Sequence, residues 1–292
     1  MNRPQRKLTR RAILSILGGA TLIGGGAVAG YASWIEPHWT EVTCQPMPLA
    51  NLPDHWLGKR IVQISDLHVG PIVDSDYLKS TLQSLATLKP DLLVITGDFM
   101  TCHEFEQLDQ TLRLLKHLPQ TPFGCYAVLG NHDYGEHFSH SQVADQLTRE
   151  LANLNIEVLR NSSKNVSGLQ LLGVDDYWGQ NFDLEKTLRC YKPDAPSILL
   201  CHNPDVVDLF NGQQFQGWIL SGHTHGGQCR LPFGSPPILP IRNKRYAAGH
   251  IDLADGRQLW VNRGLGYLRK VRWNVRPEIT LFELTNGNSD FL

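Results

Sequence analysis

The sequence predicts a layered α/β domain in which helices cover a sheet with parallel strand pairing. Short apolar runs recur along the 292 residues, and each is followed by a polar cluster and then by apolar residues at helical spacing. Strands that are buried on both faces have this short, continuous apolar character. Hydrophobic residues make up 41% of the chain, which excludes disorder throughout, and no period of 20–50 residues repeats, which excludes solenoids and propellers.

Five apolar runs predict buried strands. They are IVQIS (61–65), LLVIT (92–96), YAVLG (126–130), SILL (197–200) and WILSG (218–222). Between them, apolar residues at helical intervals predict helices over 78–88, 108–118 and 143–154. After Gly226 the chain changes to Pro, Gly and short β-like pieces such as QLWVN and EITLFEL. We interpret this part as a second, partly antiparallel sheet of the same domain.

The N-terminus has the pattern of an export signal. Five basic residues precede any acidic one, namely Arg3, Arg6, Lys7, Arg10 and Arg11. An uncharged stretch follows from Ala12 to Ile35, which is typical of an export signal or a retained membrane anchor. The run Thr9–Leu14 resembles the twin-arginine signal, so we expect the twin-arginine export machinery as a partner, with an ordinary signal as the alternative.

We therefore divide the chain into three parts. Residues 1–35 form the signal or anchor, residues 36–57 a proline-rich connector that can add an edge strand, and residues 58–292 the main domain. Because positive charge is retained on the cytoplasmic side, we expect the main domain to lie outside the cytoplasm, exported across or anchored to the inner membrane.

Metal-ligand residue types follow all five predicted strands. They are Asp66 and His68, then Asp98, then Asn131, His132 and Asp133, then His202, and finally His223 and His225. Taken alone, each cluster is equally a helix cap or a turn. Because ligands bind outside the carboxyl ends of strands in open α/β sheets, we expect the five clusters to meet at one rim.

The residue types favour a transition-metal site, since carboxylate and imidazole together suit Mn, Zn or Fe. Asp66 and His68 can reach one ion only if the chain curls after its strand, and Gly70 and Gly97 offer backbone freedom for such turns. The two oxygens of Asp98 can bridge two cations, and two cations about 3.5–4 Å apart support an in-line phosphoryl displacement by an activated water.

The blocks DLH, GD, GNHD, a single His and GHTH, in this order, resemble the calcineurin-like metallophosphoesterase family over roughly residues 58–285. The resemblance implies a four-layer α/β sandwich, with two facing mixed β-sheets flanked by helices and a site for two divalent metals at the rim. It implies one metal held by Asp66, His68 and His225, a second held by Asn131, His202 and His223, and Asp98 between them. It places His132 against the phosphate, where it steadies charge or protonates the leaving oxygen.

The resemblance also narrows the substrate. Gly97-Asp98 is not followed by the Asp-Arg-Gly run of protein Ser/Thr phosphatases, which disfavours a phosphoprotein substrate. The blocks GHTHGGQ, RGLG and PEITLFEL are similar to a bacterial subgroup of exported and membrane-associated phosphohydrolases. That subgroup includes enzymes resembling the pyrophosphatases that cleave UDP-2,3-diacylglucosamine.

We therefore expect a metal-dependent phosphohydrolase that uses a metal-activated water on a phosphoester or pyrophosphate bond of an envelope or lipid-linked substrate. Two alternatives stay open. One is a UDP-2,3-diacylglucosamine pyrophosphatase of lipid A synthesis, whose nucleotide substrate is expected in the cytosol and so conflicts with an export signal. The other is an envelope protein that binds metal without turnover.

A basic stretch near the C-terminus suggests a surface partner. Residues 242–276 hold nine basic residues against two acidic ones, with Trp273 in the densest part. This pattern fits a membrane surface with anionic headgroups, and equally a solvated face. Nucleic acid is not expected, because no aromatic platform is interleaved with the charges. Asp175, Asp176 and Trp178 follow another apolar run and either approach the site or form a surface turn.

Overall fold

The computed structural model describes residues 24–101, 106–210, 215–234 and 236–287. Within them two six-stranded sheets form. The first contains β1 (Glu41–Leu49), β2 (Arg60–Ile64), β3 (Leu92–Thr96), β4 (Cys125–Val128), β5 (Ile156–Val158) and β12 (Glu278–Asn286). The second contains β6 (Ser162–Val166), β7 (Leu169–Gly173), β8 (Ser197–Leu200), β9 (Gly217–Ser221), β10 (Gly249–Asp252) and β11 (Arg257–Val261). The strand orders are β1-β12-β2-β3-β4-β5 and β10-β11-β9-β8-β7-β6.

The two sheets pack face to face through one apolar layer. Ile61 and Val94 of the first sheet lie in the same buried cluster as Leu171, Ile198 and Trp218 of the second. Both sheets are mixed, since β12 is antiparallel to β2, and β6 and β10 are antiparallel to their neighbours, while the central pairs are parallel. This arrangement confirms the predicted pair of facing mixed sheets.

Helices cover the outer faces. They are α1 (Ser75–Ser84), α2 (Glu106–Leu115), α3 (Ser141–Asn153) and the short α4 (Leu184–Leu188). Leu78, Leu115 and Leu147 pack with Val62 and Leu93 on the outer face of the first sheet. The predicted leucine series therefore forms core packing, and α1 to α3 lie where the helical spacing predicts them. Apolar residues of α4 and its neighbouring loops cover the second sheet.

The prediction of a separate sheet after Gly226 is wrong. The second sheet begins much earlier, at β6, and includes the SILL and WILSG runs as β8 and β9. The EITLFEL segment is β12, which returns to the first sheet between β1 and β2. Packing explains the return, because alternate residues of β12 face different layers: Phe282 fills the layer between the sheets, and Leu281 packs against the cluster under the helices.

The N-terminal segment ends against the main domain. Residues 24–30 are α-helical, and Tyr31–Ile35 forms a π-helical turn. The carbonyl of Ala32 accepts a hydrogen bond from Arg272 N (2.8 Å), and the buried Glu36 Oε1 accepts one from Val275 N (2.6 Å). The twin-arginine-like run lies outside the described residues. In the part of the chain that is described, no helix has the length and apolarity needed to cross a membrane.

Candidate metal centre

The predicted site residues lie at the carboxyl ends of strands from both sheets. The segments after β2 and β3 are joined by backbone hydrogen bonds from Asp66 N to Gly97 O and from His68 N to Asp98 O, both 3.0 Å. The segment after β9 joins them, because His223 N donates to both carboxylate oxygens of Asp66 at 3.1 Å. The rim that the strand ends share is thus one connected structure.

Asp66, His68 and His225 form a first cluster, whose ligand atoms lie within 4.8 Å of one another. His68 Nε2 is 3.0 Å from His225 Nε2, and His225 Nε2 is 3.4 Å from Asp66 Oδ1. All three residues are buried. Three donor atoms that converge within this distance fit one cation.

Asp98, His202 and His223 form a second cluster with the same spacing limit. His202 Nε2 lies 3.1 Å from Asp98 Oδ2 and 3.1 Å from His223 Nδ1. Asn131 begins the 3-10 turn Asn131–Tyr134 after β4, and its buried Oδ1 has no hydrogen-bond partner among the described residues. A buried amide oxygen without a donor is costly, and a cation would satisfy it.

Asp98 lies between the two clusters. Its Oδ2 is 3.4 Å from His68 Nε2 and 3.1 Å from His202 Nε2, so one oxygen faces a histidine of each cluster. Its Oδ1 accepts a hydrogen bond from the backbone N of His132 at 2.9 Å. The His132 ring is half-buried and lies edge-on to His68, with 4.9 Å between ring centroids. All eight predicted site residues are therefore at this rim.

The outer nitrogens of three histidines are held by hydrogen bonds, which fixes their inward lone pairs. His202 Nδ1 donates to Thr96 O at 2.7 Å, His223 Nε2 donates to Pro240 O at 3.1 Å, and His68 Nδ1 lies 3.1 Å from Thr101 Oγ1. In the neutral rings, lone pairs then face one another across about 3 Å. Facing acceptors of this kind fit divalent cations, so the donor set and its orientation suit a two-metal centre.

The charge balance of the protein chain alone explains how this centre is held together. Burial lowers the pKa of His202, but the Asp98 carboxylate outweighs it and raises that pKa to about 10. Burial lowers the pKa of His68 and of His223 to about 3, which keeps both neutral. Burial raises the pKa of Asp66 to about 6. In the absence of metal, the proton on His202 therefore balances the charge of the Asp98 carboxylate, which a bound cation would otherwise do.

The backbone at this rim curls as the sequence requires. Five predicted metal ligands adopt left-handed backbone conformations: Asp66, His68, Asp98, His223 and His225, with φ between 47° and 71°. Such conformations cost free energy in non-glycine residues and cluster at functional sites. Gly97 has φ +90°, and a Cβ there would lie 2.7 Å from His202 Nδ1, so glycine is required. Gly70 has no positive φ, and the freedom predicted for it is not used.

Two residues with a large part in the site were not assigned a role from the sequence. Asp133 accepts hydrogen bonds from the backbone N of Gly130 and Phe99, both at 2.9 Å, and so ties the GNHD turn to the segment after β3. The position of Asp133 within the GNHD block was the sequence signal that could have identified it. Arg272 is fully buried and donates to the carbonyls of Gly264 and Gly266, which lie directly against Asp66. It was counted within a basic surface stretch, and no sequence signal distinguished it.

Trp178 and Asp176 do approach the centre. The Trp178 ring lies edge-on to His223, with 4.6 Å between centroids, and it also neighbours Phe138. Asp176 Oδ2 accepts hydrogen bonds from the backbone N of Trp178 and Gly179, whereas its buried Oδ1 has no hydrogen-bond partner among the described residues. Burial raises the pKa of Asp176 to about 7. This loop forms one wall beside the second cluster.

Two facing mixed sheets with Asp/His clusters at their shared rim define a metal-dependent phosphoester hydrolase. The chain belongs to the calcineurin-like phosphoesterase family, whose model matches residues 59–227. It is 34% identical over 293 residues to the metallophosphoesterase YkuE of Bacillus subtilis (strain 168), which covers 97% of this chain and 100% of that protein. It is 31% identical to the UDP-2,3-diacylglucosamine pyrophosphatase LpxG of Chlamydia trachomatis (86% and 91% covered). It is 29% identical to the phosphodiesterase YaeI of Escherichia coli K12 (95% and 99% covered).

Proposed function

We propose that this enzyme is a two-metal phosphohydrolase of the cell envelope that cleaves a phosphoester or pyrophosphate bond in a lipid-linked substrate. The single observation that carries the proposal is the position of Asp98 between two Asp/His clusters. One carboxylate oxygen that faces both clusters is the arrangement that two neighbouring cations require.

The residues fit the implied metals as follows. Asp66, His68 and His225 would hold one ion, Asn131, His202 and His223 the other, and Asp98 both. This mixture of imidazole, carboxylate and amide ligands suits Mn, Zn or Fe. When bound, the two divalent ions lower the pKa of a water and stabilise the charge that develops on the phosphoryl oxygens.

The remaining steps are performed by the protein chain. The hydrogen bond from His132 N to Asp98 Oδ1 holds the His132 backbone at the centre, and its ring is half-buried beside His68. Phe138 packs edge-on against that ring, with 5.1 Å between centroids, and limits its rotation. In this position the imidazole can donate a hydrogen bond to a phosphoryl oxygen or a proton to the leaving oxygen.

The substrate class is supported by the relatives. LpxG carries the name of a UDP-2,3-diacylglucosamine pyrophosphatase, and YaeI that of a phosphodiesterase, so this fold acts on a lipid-linked pyrophosphate in one relative and on phosphodiesters in another. The N-terminal export pattern favours a lipid-linked or envelope phosphoester outside the cytoplasm. A UDP-lipid pyrophosphatase facing the cytosol is the second candidate, favoured by the resemblance to LpxG.

Hydrolysis of bis(p-nitrophenyl) phosphate by full-length protein reconstituted with Mn²⁺ or Zn²⁺ tests the enzymatic proposal. Asp98→Ala should abolish turnover while the circular dichroism spectrum is retained. His132→Ala should keep its metal content and lose about 10²–10⁴-fold in kcat. His250→Ala, at an exposed position stacked on Trp218, is the matched control and should keep full activity. Normal turnover by the Asp98 variant, or unchanged kcat in the His132 variant, contradicts the proposed roles.

Topology separates the two substrate candidates. A reporter fused after Leu292 should be active outside the cytoplasm, and Arg10→Lys with Arg11→Lys should retain it in the cytosol. A cytosolic reporter in the wild-type fusion contradicts export and favours the UDP-lipid reaction.

A further inference from the structure

Three large apolar side chains project from the loop that follows the metal-ligand segment. Leu231, Phe233 and Ile238, here called the apolar tip, are 63%, 91% and 77% exposed. The loop begins next to His225 and returns to the centre at Pro240, whose carbonyl accepts the hydrogen bond from His223 Nε2. The apolar tip is therefore attached at both ends to the candidate metal centre.

The apolar tip lies beside the N-terminal segment. Arg230 N donates to Trp273 O at 2.8 Å, and the Trp273 ring packs edge-on to Tyr31, with 5.8 Å between centroids. Tyr31, Trp273 and Pro232 also line one cavity of about 660 Å³. The helical residues before Tyr31 continue the uncharged stretch that starts at Ala12, so the most apolar part of the chain enters the domain next to the apolar tip.

The N-terminal segment adds exposed apolar area of its own. Trp34 is 70% exposed and Ile35 is 55% exposed. Scattered single apolar residues are normal on protein surfaces, but several grouped beside an uncharged apolar stretch mark an interaction surface.

Two exposed cations, Arg269 and Lys270, lie on the segment that binds the start of the loop carrying the apolar tip. Gln228 joins the segments, since its amide donates to Arg269 O at 2.9 Å and its Oε1 accepts from Leu268 N at 3.0 Å. The exposed side chains of Arg269 and Lys270 make no hydrogen bond or ion pair within the described residues.

Most other cations of the 242–276 stretch bind the protein itself, which narrows the surface predicted from sequence. Six of the nine contact carbonyls or carboxylates: Lys244, Arg245, Arg257, Arg263, Arg272 and Arg276. The charge available to a partner is therefore concentrated near the apolar tip rather than spread over the stretch.

We propose that the apolar tip and the helical segment 24–35 dock together on an anionic phospholipid bilayer, with Arg269 and Lys270 at the headgroups. An apolar insertion combined with basic residues is the pair of signals that stable surface anchoring requires. The uncharged stretch leading to this face argues for lipid rather than for a protein partner. Because the loop is attached at both ends to the candidate metal centre, docking in this orientation brings that centre toward the membrane surface.

Quenching by brominated phosphatidylcholine tests the proposal on full-length protein reconstituted in vesicles that contain phosphatidylglycerol. Phe233→Trp should add emission that the acyl-chain bromine quenches, measured as the difference from wild type. Leu57→Trp is the matched control, because Leu57 is 44% exposed and lies before β2, at the end of the first sheet remote from Asp66. We expect the added emission to be quenched at least about twofold more at position 233 than at position 57, since docked apolar faces sit about 5–10 Å into the interface.

The charge contribution is tested in the same Phe233→Trp background. Arg269→Gln with Lys270→Gln should lower the docked fraction several-fold on phosphatidylglycerol vesicles, since each cation near an anionic surface shifts the equilibrium about fivefold. Equal quenching at positions 57 and 233 overturns the proposal. So does unquenched emission from the Phe233→Trp variant when light scattering shows that variant to be dimeric, which would assign the apolar tip to a second copy of this chain. Neither readout depends on turnover, so the proposed hydrolase activity is tested separately.

Discussion

Metal loading should release protons, chiefly from His202. In the metal-free protein the Asp98 carboxylate raises the pKa of His202 to about 10, so its imidazole carries a proton at pH 7. A ring that binds a cation through Nε2 must lose that proton. Asp66, with a pKa of about 6, and Asp176, with a pKa of about 7, each add a fraction of a proton. We expect between about one and two protons to be released per chain at pH 7. The apparent affinity for the metal should then rise about tenfold for each pH unit above pH 7.

Isothermal titration calorimetry measures this release when Zn²⁺ is added to protein from which a chelator has removed all metal. The titration is run in Pipes and in Tris, because the two buffers differ in ionisation enthalpy. Loss of the imidazole in His202→Gln should remove about one proton from the count, whereas His250→Gln, a control whose exposed side chain stacks on Trp218, should leave it unchanged. Zero release at pH 7 in wild-type protein, or a release that survives intact in His202→Gln, refutes the derived charge state of the centre.

Three further perturbations follow from the same geometry. Gly97→Ala places a Cβ 2.6 Å from Gly130 N and 2.7 Å from His202 Nδ1 at φ +90°, so it should reduce metal content and cost at least about 1–3 kcal/mol of unfolding free energy. Arg272→Met leaves the carbonyls that it binds without donors and should cost at least about 3 kcal/mol in urea unfolding. Metal-free protein should lose stability as pH rises from 7 to 9, by about 1.4 kcal/mol per unit, because the proton on His202 contributes stability that is fully present below its unfolded pKa and is lost through pH 10.

Each of these outcomes has a matched comparison. Gly70→Ala adds a Cβ that has no contact closer than 3.5 Å and should be tolerated, so equal losses at positions 70 and 97 contradict the steric argument. Arg269→Met, at an exposed side chain, should leave the urea midpoint unchanged. A loss of unfolding free energy similar to that of Arg272→Met would contradict the stabilising role of the buried Arg272 guanidinium. An unfolding free energy that stays constant between pH 7 and pH 9 in metal-free protein contradicts the raised pKa of His202.

The strand ends were predictable because burial on both faces leaves a plain sequence signal. The LLVIT and SILL runs coincide with β3 and β8, and both strands are buried along their whole length. Their parallel pairing then brings the following polar residues to a common rim. Local periodicity was likewise sufficient to locate α1 to α3, although each helix begins two or three residues before its apolar series and ends one to four residues before the series does.

The features of the fold and site that the sequence did not predict depend on contacts between distant parts of the chain. β1 pairs in parallel with β12, so that Glu41 lies opposite Glu278. No local feature of the sequence predicts such a pairing. Arg272 shows the same limit, since its charge predicts exposure, whereas converging backbone carbonyls make a buried position favourable. Exposure of Phe233 is equally invisible in sequence, where a lone aromatic between prolines indicates packing as readily as docking.

An anomalous-scattering map of crystals grown with Mn²⁺ tests the central claim most directly. The account predicts two peaks about 3.5–4 Å apart, one bound by Asp66, His68 and His225 and the other by Asn131, His202 and His223, with Asp98 in contact with both. A single peak, or two peaks that do not share Asp98, in protein that hydrolyses the test ester would contradict it.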